Sequence, residues 1–138
     1  KQNDSMGIYV GPKKIKKIKK KKIVVKKAKI LIMGLTFKEN CPDIRNSGVK
    51  SVINQLKKFK CKIHLQDPYV DSKEIKKKYN IYPNLKMKNN SFDAVLIAVA
   101  HDKFKYMGIK KIKKLCKTNH VIFDLKNLFN SKHVDLKL

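Results

Sequence analysis

Lys29-Ile-Leu-Ile-Met33, then Gly34-Leu-Thr-Phe-Lys-Glu-Asn-Cys-Pro-Asp-Ile-Arg-Asn-Ser-Gly48, then Val49, Val52, Ile53 and Leu56 at helical spacing: this stretch decides the architecture of the chain. A short apolar run, a long polar loop and an amphipathic helix form the first half of a β-α-β unit. The strand is predicted over 29–34 and the helix over 47–59, with its cap falling to Asn46 or Ser47. In an open α/β sheet, a loop leaving the carboxyl end of a strand is where ligands sit. This loop carries Lys38 and Arg45, and two cations so placed select an anionic ligand, most simply a phosphate.

The alternation continues outward from that unit. Cys61, Ile63 and Leu65 alternate along a second strand that ends at Asp67-Pro68. A lysine-rich helix is predicted over 71–79, then a short extended piece near Ile81-Tyr82. Ala94-Val-Leu-Ile-Ala-Val99 is uninterrupted and apolar, the pattern of a strand buried on both faces of a parallel sheet. A short turn at 102–106 precedes a helix over 108–117 with Ile109, Ile112 and Leu115 inward, and Val121-Ile-Phe-Asp124 reads as the last strand. Strand, crossover helix and strand in repetition give a parallel, doubly wound α/β sheet. The first 27 residues differ: Ile8, Ile15 and Ile18 mark a thin apolar stripe among lysines, and Gly11-Pro12 breaks or kinks any helix there. So thin a stripe looks like the end of an element packed on another part or another subunit.

Composition narrows the class. The chain has 138 residues, 42% of them hydrophobic, enough for one domain with a real core. No apolar run reaches the length of a membrane span and no leader with a cleavage site is recognisable, so no membrane partner is expected. Cys41, Cys61 and Cys116 are odd in number and widely spaced, matching neither a zinc pattern nor a disulfide framework; no metal and a cytoplasmic location are the expectations. A net charge of +25 invites a nucleic-acid reading. Yet of the 35 basic residues Arg45 is the lone arginine, whereas base readout leans heavily on arginine. The lysines are spread through every segment, and abundant Lys, Asn and Ile fit AT-rich codons. Nucleic-acid binding is therefore expected only as a non-specific property, with a lysine-rich polyanion-binding module as the alternative function.

The five glycines build no G-x-G-x-x-G and no Walker loop. Asp67 stands where a dinucleotide fold places its ribose-binding acid, but without the glycine turn capping the following turn is the favoured role. Arg45 offers a planar fork to phosphate, or pairs with Asp43 to brace the loop. His101-Asp102 reads either as an acid/base unit or, preferably, as the cap of the short turn at 102–106. Cys41 has no histidine nearby in sequence and reads as a half-buried loop residue, while Cys61 and Cys116 read as core or strand-edge residues. Lys126, just beyond the final strand, adds a third cation on the edge of the sheet that carries the 34–46 loop.

Gly34 to Ser47, as quoted, closely resembles the opening of the C-terminal domain of the UDP-glucose/GDP-mannose dehydrogenase family. Asp67-Pro68-Tyr-Val-Asp71, Ala98-Val-Ala-His-Asp-Lys-Phe104 and Val121-Ile-Phe-Asp-Leu-Lys126 agree with it in order and spacing, and Asn3-Asp4-Ser-Met6 resembles the end of that family's central, dimer-forming helix. The Ala-His-Asp-x-Phe version resembles members acting on UDP-N-acetylhexosamines. The resemblance implies a Rossmann-like doubly wound parallel sheet preceded by an N-terminal helix. Residues 1–27 would be the end of the dimerisation helix and a linker, and 28–138 the UDP-binding domain.

The family oxidises C6 of a nucleotide sugar with two NAD+, in pathways to surface polysaccharides. The resemblance makes Phe37 and Lys38 substrate-binding. Lys126 stands where many members have an arginine near the substrate, and Arg45 resembles the residue that reaches across the interdomain cleft to NAD. The family's catalytic cysteine and its dinucleotide loop match nothing in this sequence, and Cys41 is not that nucleophile. No catalytic residue is expected here. The chain would work only with an NAD-binding domain supplied in the same or another chain, and as a homodimer through the central helix.

Overall fold

The computed structural model describes residues 23, 25–36, 38–44, 48–83 and 86–137. The predicted N-terminal helix, Phe37, and Arg45 with the expected caps Asn46 and Ser47 lie outside the described residues. Four substantial strands, β1 (Lys29–Met33), β2 (Lys62–Gln66), β3 (Phe92–Ile97) and β4 (Cys116–Asp124), are joined by helices. The helices are α1 (Val49–Lys58), α2 (Ser72–Tyr79), α3 (Asp102–Met107) and α4 (Ile109–Leu115). A two-residue strand, β5 (Leu136–Lys137), closes the edge. The sheet is parallel throughout, in the order β2-β1-β3-β4-β5.

The apolar pattern explains both layers. Successive residues of a strand face opposite sides, so Ile30, Ile32, Ala94, Leu96, Val121 and Phe123 face one layer. There they meet Val49, Val52, Ile53 and Leu56 of α1 and Ile75 and Tyr79 of α2. Leu31, Met33, Val95, Ile97 and Ile122 face the other layer, packed with Phe104, Ile112 and Leu115. Helices cover both faces, so the sheet is doubly wound as expected. β1 and β3 are buried almost without interruption, which is why they read as continuous apolar runs.

Helix ends follow local chemistry. Asp71 caps α2, its carboxylate accepting the Lys73 N–H at 3.4 Å, and Asn80 stops it in the left-handed conformation. The N-cap position of α1 falls on Gly48, with no side-chain cap bond. Three expectations need correction. Val121–Asp124 is only the second half of β4, and it is not the last strand: β5 pairs beside it, held where the Ile122 N–H donates to Asp135 Oδ2 at 2.7 Å. The segment near Ile81-Tyr82 joins no strand. The helix predicted over 108–117 stops at Leu115, because Cys116 turns extended and pairs with Phe92.

Candidate functional site

Strand order fixes where a crevice opens. From β1 the chain moves out to β2 and then returns to place β3 on the other side of β1. The connections leaving β1 and β3 therefore diverge to opposite faces, and the carboxyl ends of these neighbours are the switch point at which such sheets bind ligands. The loop after β1 carries Lys38; the exit of β3 carries His101.

The loop begins at a backbone position that only glycine suits. Gly34 has φ +103°, and a Cβ there would lie 2.6 Å from Val99 Cβ and 2.8 Å from the Val99 nitrogen. The close approach of β1 and β3 exits requires the missing side chain. Leu35 and Ile44 bury their side chains in the core at either end of the loop. Lys78 of α2 donates to the Ile44 carbonyl, and burial with the nearby Lys50 charge pulls its ammonium below the usual lysine range.

Between those anchors lies a buried polar cluster. Asp67 Oδ2 accepts the Leu35 N–H at 2.7 Å and faces His101 Nε2 at 3.0 Å, while its Oδ1 accepts the Tyr69 N–H at 2.9 Å. The Asn40 N–H donates to His101 Nδ1 at 2.9 Å, so Nδ1 bears a lone pair and the ring proton sits on Nε2, directed at Asp67. The Thr36 hydroxyl lies 3.3 Å from the same Nε2 and donates to the Lys38 carbonyl at 2.8 Å. Asn40, in the left-handed region at φ +57°, closes a second ring. Its Oδ1 accepts the Asp102 N–H at 2.9 Å and the Tyr69 hydroxyl at 3.2 Å, and its Nδ2 donates to Asp102 Oδ2 at 3.0 Å. The His101 ring packs between Tyr69 and Phe104, with centroids 4.6 and 5.2 Å away, and is fully buried.

These contacts sort the candidates. Asp67 does cap the turn after β2, as favoured from sequence, and also receives Leu35 and His101. His101-Asp102 is corrected: His101 sits at the N-cap position of α3 but makes no side-chain cap bond there. Its partners are Asp67, Asn40 and Thr36. Cys41 is a half-buried loop residue. Cys116 and Cys61 are a buried core thiol and a half-buried thiol beside β2, both driven upward by burial, to about 12 and about 11. Among the described residues no cluster could hold a metal ion, and no helix is long and apolar enough to cross a membrane.

Lys38 and Lys126 are both exposed at the carboxyl edge of the sheet. β1 and β4 flank β3, so their exits stand two strand spacings apart, roughly 10 Å. The turn that carries Lys126 is built on Asp124, fully buried, whose carboxylate accepts the N–H groups of Lys126, Leu128 and Phe129 at 3.3, 3.0 and 2.8 Å. That turn was not foreseen, although a buried acid ending an apolar strand before Leu-Lys-Asn is its sequence signal. A separate hollow of about 580 Å³ lies at the opposite, amino-terminal edge, among Lys26, Lys27, Asp93 and Lys117, and contains none of the candidates.

A dinucleotide does not fit the described part of this edge. Gly34 stands without the further glycines of a pyrophosphate turn, and the carboxylate that would take a ribose hydroxyl, Asp67, is already bonded to Leu35, Tyr69 and His101.

Comparison with known proteins identifies the family. The family model described as the UDP binding domain of the UDP-glucose/GDP-mannose dehydrogenase family matches residues 31–131. The chain is 43% identical over 136 residues to a UDP-N-acetyl-D-glucosamine 6-dehydrogenase of Salmonella typhi, and 40% identical over 136 residues to one of Pseudomonas aeruginosa. Each match takes in 99% of this chain and 32% of the relative, so the chain spans about a third of the length of these curated relatives. Among solved structures, the UDP-N-acetyl-mannosamine dehydrogenase of Staphylococcus aureus superposes with a TM-score of 0.71 at 26% identity, over 98% of this chain and 30% of that one. A UDP-D-ManNAc dehydrogenase of Pyrococcus horikoshii superposes with a TM-score of 0.77 at 22% identity, over 98% and 31%, a likeness of fold. Switch-point loop, matched motifs and near-complete coverage together place this chain in the UDP-glucose/GDP-mannose dehydrogenase family, as its UDP binding domain.

Proposed function

We propose that this chain is the substrate-binding domain of an NAD-dependent UDP-N-acetylhexosamine 6-dehydrogenase, holding the nucleotide end of a UDP-sugar on a path to polysaccharide precursors in the cytoplasm. The observation that carries the reading is the pinned 34–44 loop, which presents Lys38 at the switch point beside the β3 exit. Lys38 and Lys126 supply charge for the diphosphate, with Phe37 as a further substrate-binding residue. Lysine in place of the fork of an arginine makes Lys126 a point-charge contact without bidentate geometry.

The described residues of this chain contribute binding and orientation, and hold no dinucleotide cradle of their own. On this reading NAD is held by a separate domain, with Arg45 as a cofactor-binding residue, and residues 1–27 belong to the end of the central dimerisation helix and a linker, the route to a homodimer.

Titration calorimetry with UDP tests the reading. Lys38→Ala lowers UDP affinity about tenfold or more, the usual worth of a charge-assisted contact; unchanged affinity removes Lys38 from the site. In the complete enzyme, Arg45→Ala raises the KM for NAD, and a wild-type value denies the cofactor contact. The +25 net charge favours one competing reading, a polyanion-binding module. Duplex DNA and UDP titrated across the same salt series separate the two. Steep salt dependence with no preference for UDP would establish the module.

A further inference from the structure

We infer that His101 is a positioning residue that holds the backbone on both sides of Lys38, and that this anchorage distinguishes Lys38 from an ordinary surface lysine. The inference rests on the loop being the UDP site. On one side, the Thr36 hydroxyl bonds the Lys38 carbonyl at 2.8 Å and lies 3.3 Å from His101 Nε2. On the other, the Asn40 N–H bonds His101 Nδ1 at 2.9 Å. A flexible loop must be ordered when ligand binds, and that ordering subtracts from affinity. Here the ordering is done by folding, because the histidine and Asp67 that hold the loop are themselves buried.

Only a neutral imidazole performs this bridge. It donates from Nε2 to Asp67 and accepts at Nδ1 from Asn40, whereas an ammonium or guanidinium has no acceptor. Asp67 in turn has its negative charge answered by the Leu35 and Tyr69 N–H groups as well as by the ring. A carboxylate so engaged repels an incoming diphosphate less than an open one. Asn40, tied to Asp102 and Tyr69, blocks the loop from lifting away. Lys38 is thus free only in its own side chain.

The test uses the full 138-residue chain, with UDP as probe and amide hydrogen exchange by NMR as the second readout. His101→Gln keeps a donor toward Asp67 but offers no acceptor where Nδ1 stood. His101→Asn places a carbonyl oxygen near Nδ1 and loses the donor. Both remove the ring, so they share its packing loss. In His101→Gln we expect the Asn40 amide to exchange faster, UDP affinity to fall about tenfold, and Lys38→Ala to cost less than in the wild-type background. In His101→Asn we expect Asn40 protection and UDP affinity to return toward wild type.

Equal losses in the two variants would reduce His101 to a structural role and overturn the proposal. So would a wild-type UDP affinity in His101→Gln with the Asn40 amide deprotected. Should both variants fail to fold, Thr36→Val, nearly isosteric, removes the bond to the Lys38 carbonyl without opening a cavity. Wild-type affinity and an undiminished effect of Lys38→Ala in that background would equally overturn it. If Lys38→Ala leaves UDP binding unchanged in the wild type, the functional reading fails first; the exchange comparison still decides the anchorage, which falls if Asn40 is equally protected in wild type and His101→Gln.

Discussion

Gly34 is where the site begins, and a single methyl group would close it. A Cβ at this position meets the Val99 backbone nitrogen at 2.8 Å, an atom that cannot yield as a side-chain tip can. Its φ of +103° adds strain for any L residue. Gly34→Ala is expected to destabilise the fold by about 2–5 kcal/mol, the sum of a strained backbone and an overpacked contact, read as the shift of the urea midpoint; a loss under ~1 kcal/mol would mean that the two exits can spread. Asp124 governs the other cation-bearing turn. Asp124→Ala strands three N–H groups and is expected to cost about 2–4 kcal/mol, whereas Asp124→Asn, which keeps an acceptor oxygen, recovers roughly half. Thermal melts of both variants check this, and equal melting temperatures would show that water replaces the carboxylate. Residues of this kind were legible to different degrees. Lys38 stood out through its place after an apolar strand. His101 read as a cap because adjacent residues such as Asp102 rarely face each other, while its true partners Asp67 and Thr36 lie 34 and 65 residues away in the chain. Nothing local encodes such a pairing; it exists only once β1 is laid between β2 and β3.

Helices and strands were legible wherever one face or both are apolar over a full element. α1 showed its four buried residues at helical spacing, and β3 announced itself as a continuous apolar run. What stayed hidden was structure made of polar residues. Lys117, Thr118 and Asn119 are exposed, so the first half of β4 has no apolar signature. It pairs irregularly, with Phe92 opposite Cys116 but Ala94 opposite Val121, so the β4 side carries extra residues that bulge outward. β5, two residues long, pairs beside Phe123 and Asp124 and is too short to show any periodicity. The start of β4 makes a prediction of its own. Cys116 is raised from 9.0 to about 12, chiefly by burial and then by Asp135, with Lys113 opposing. A group whose folded-state pKa is raised stabilises fully below its unfolded value and loses that contribution as pH climbs through the folded one. The chain should therefore lose stability between pH 9.0 and about 12, with Cys61 adding to the fall over the range up to about 11. Urea midpoints measured at intervals across that range should fall less steeply in Cys116→Ala than in wild type; parallel slopes would show that the thiolate is solvated without unfolding. Ile112→Ala, in the helix that leads into this strand and fully buried, should cost about 2–5 kcal/mol.

Thirty-five basic residues against ten acidic ones must repel one another across the whole fold. A compact chain of this length has a radius of gyration near ~14 Å. At about 0.01 M salt the Debye length is roughly 30 Å, so every lysine feels every other; near 0.15 M it is roughly 8 Å and only neighbours interact. Ion pairs among the described residues offset this weakly: Lys117 lies 3.3 Å from Asp93 with the lysine half open to water, a class of contact worth about 1 kcal/mol or less. The melting temperature should therefore rise as sodium chloride is raised between those two concentrations, and a flat response would mean that the charges are too dispersed to matter. Screening depends on ionic strength and treats all lysines alike, whereas a built site does not. Micromolar UDP added at 0.15 M salt, where general repulsion is already damped, should raise the melting temperature further through preferential binding to the folded state. Lys38→Ala should remove most of that increment while leaving the salt response intact, since it deletes one charge in thirty-five. Loss of both together would tie ligand binding to bulk charge and to no particular loop.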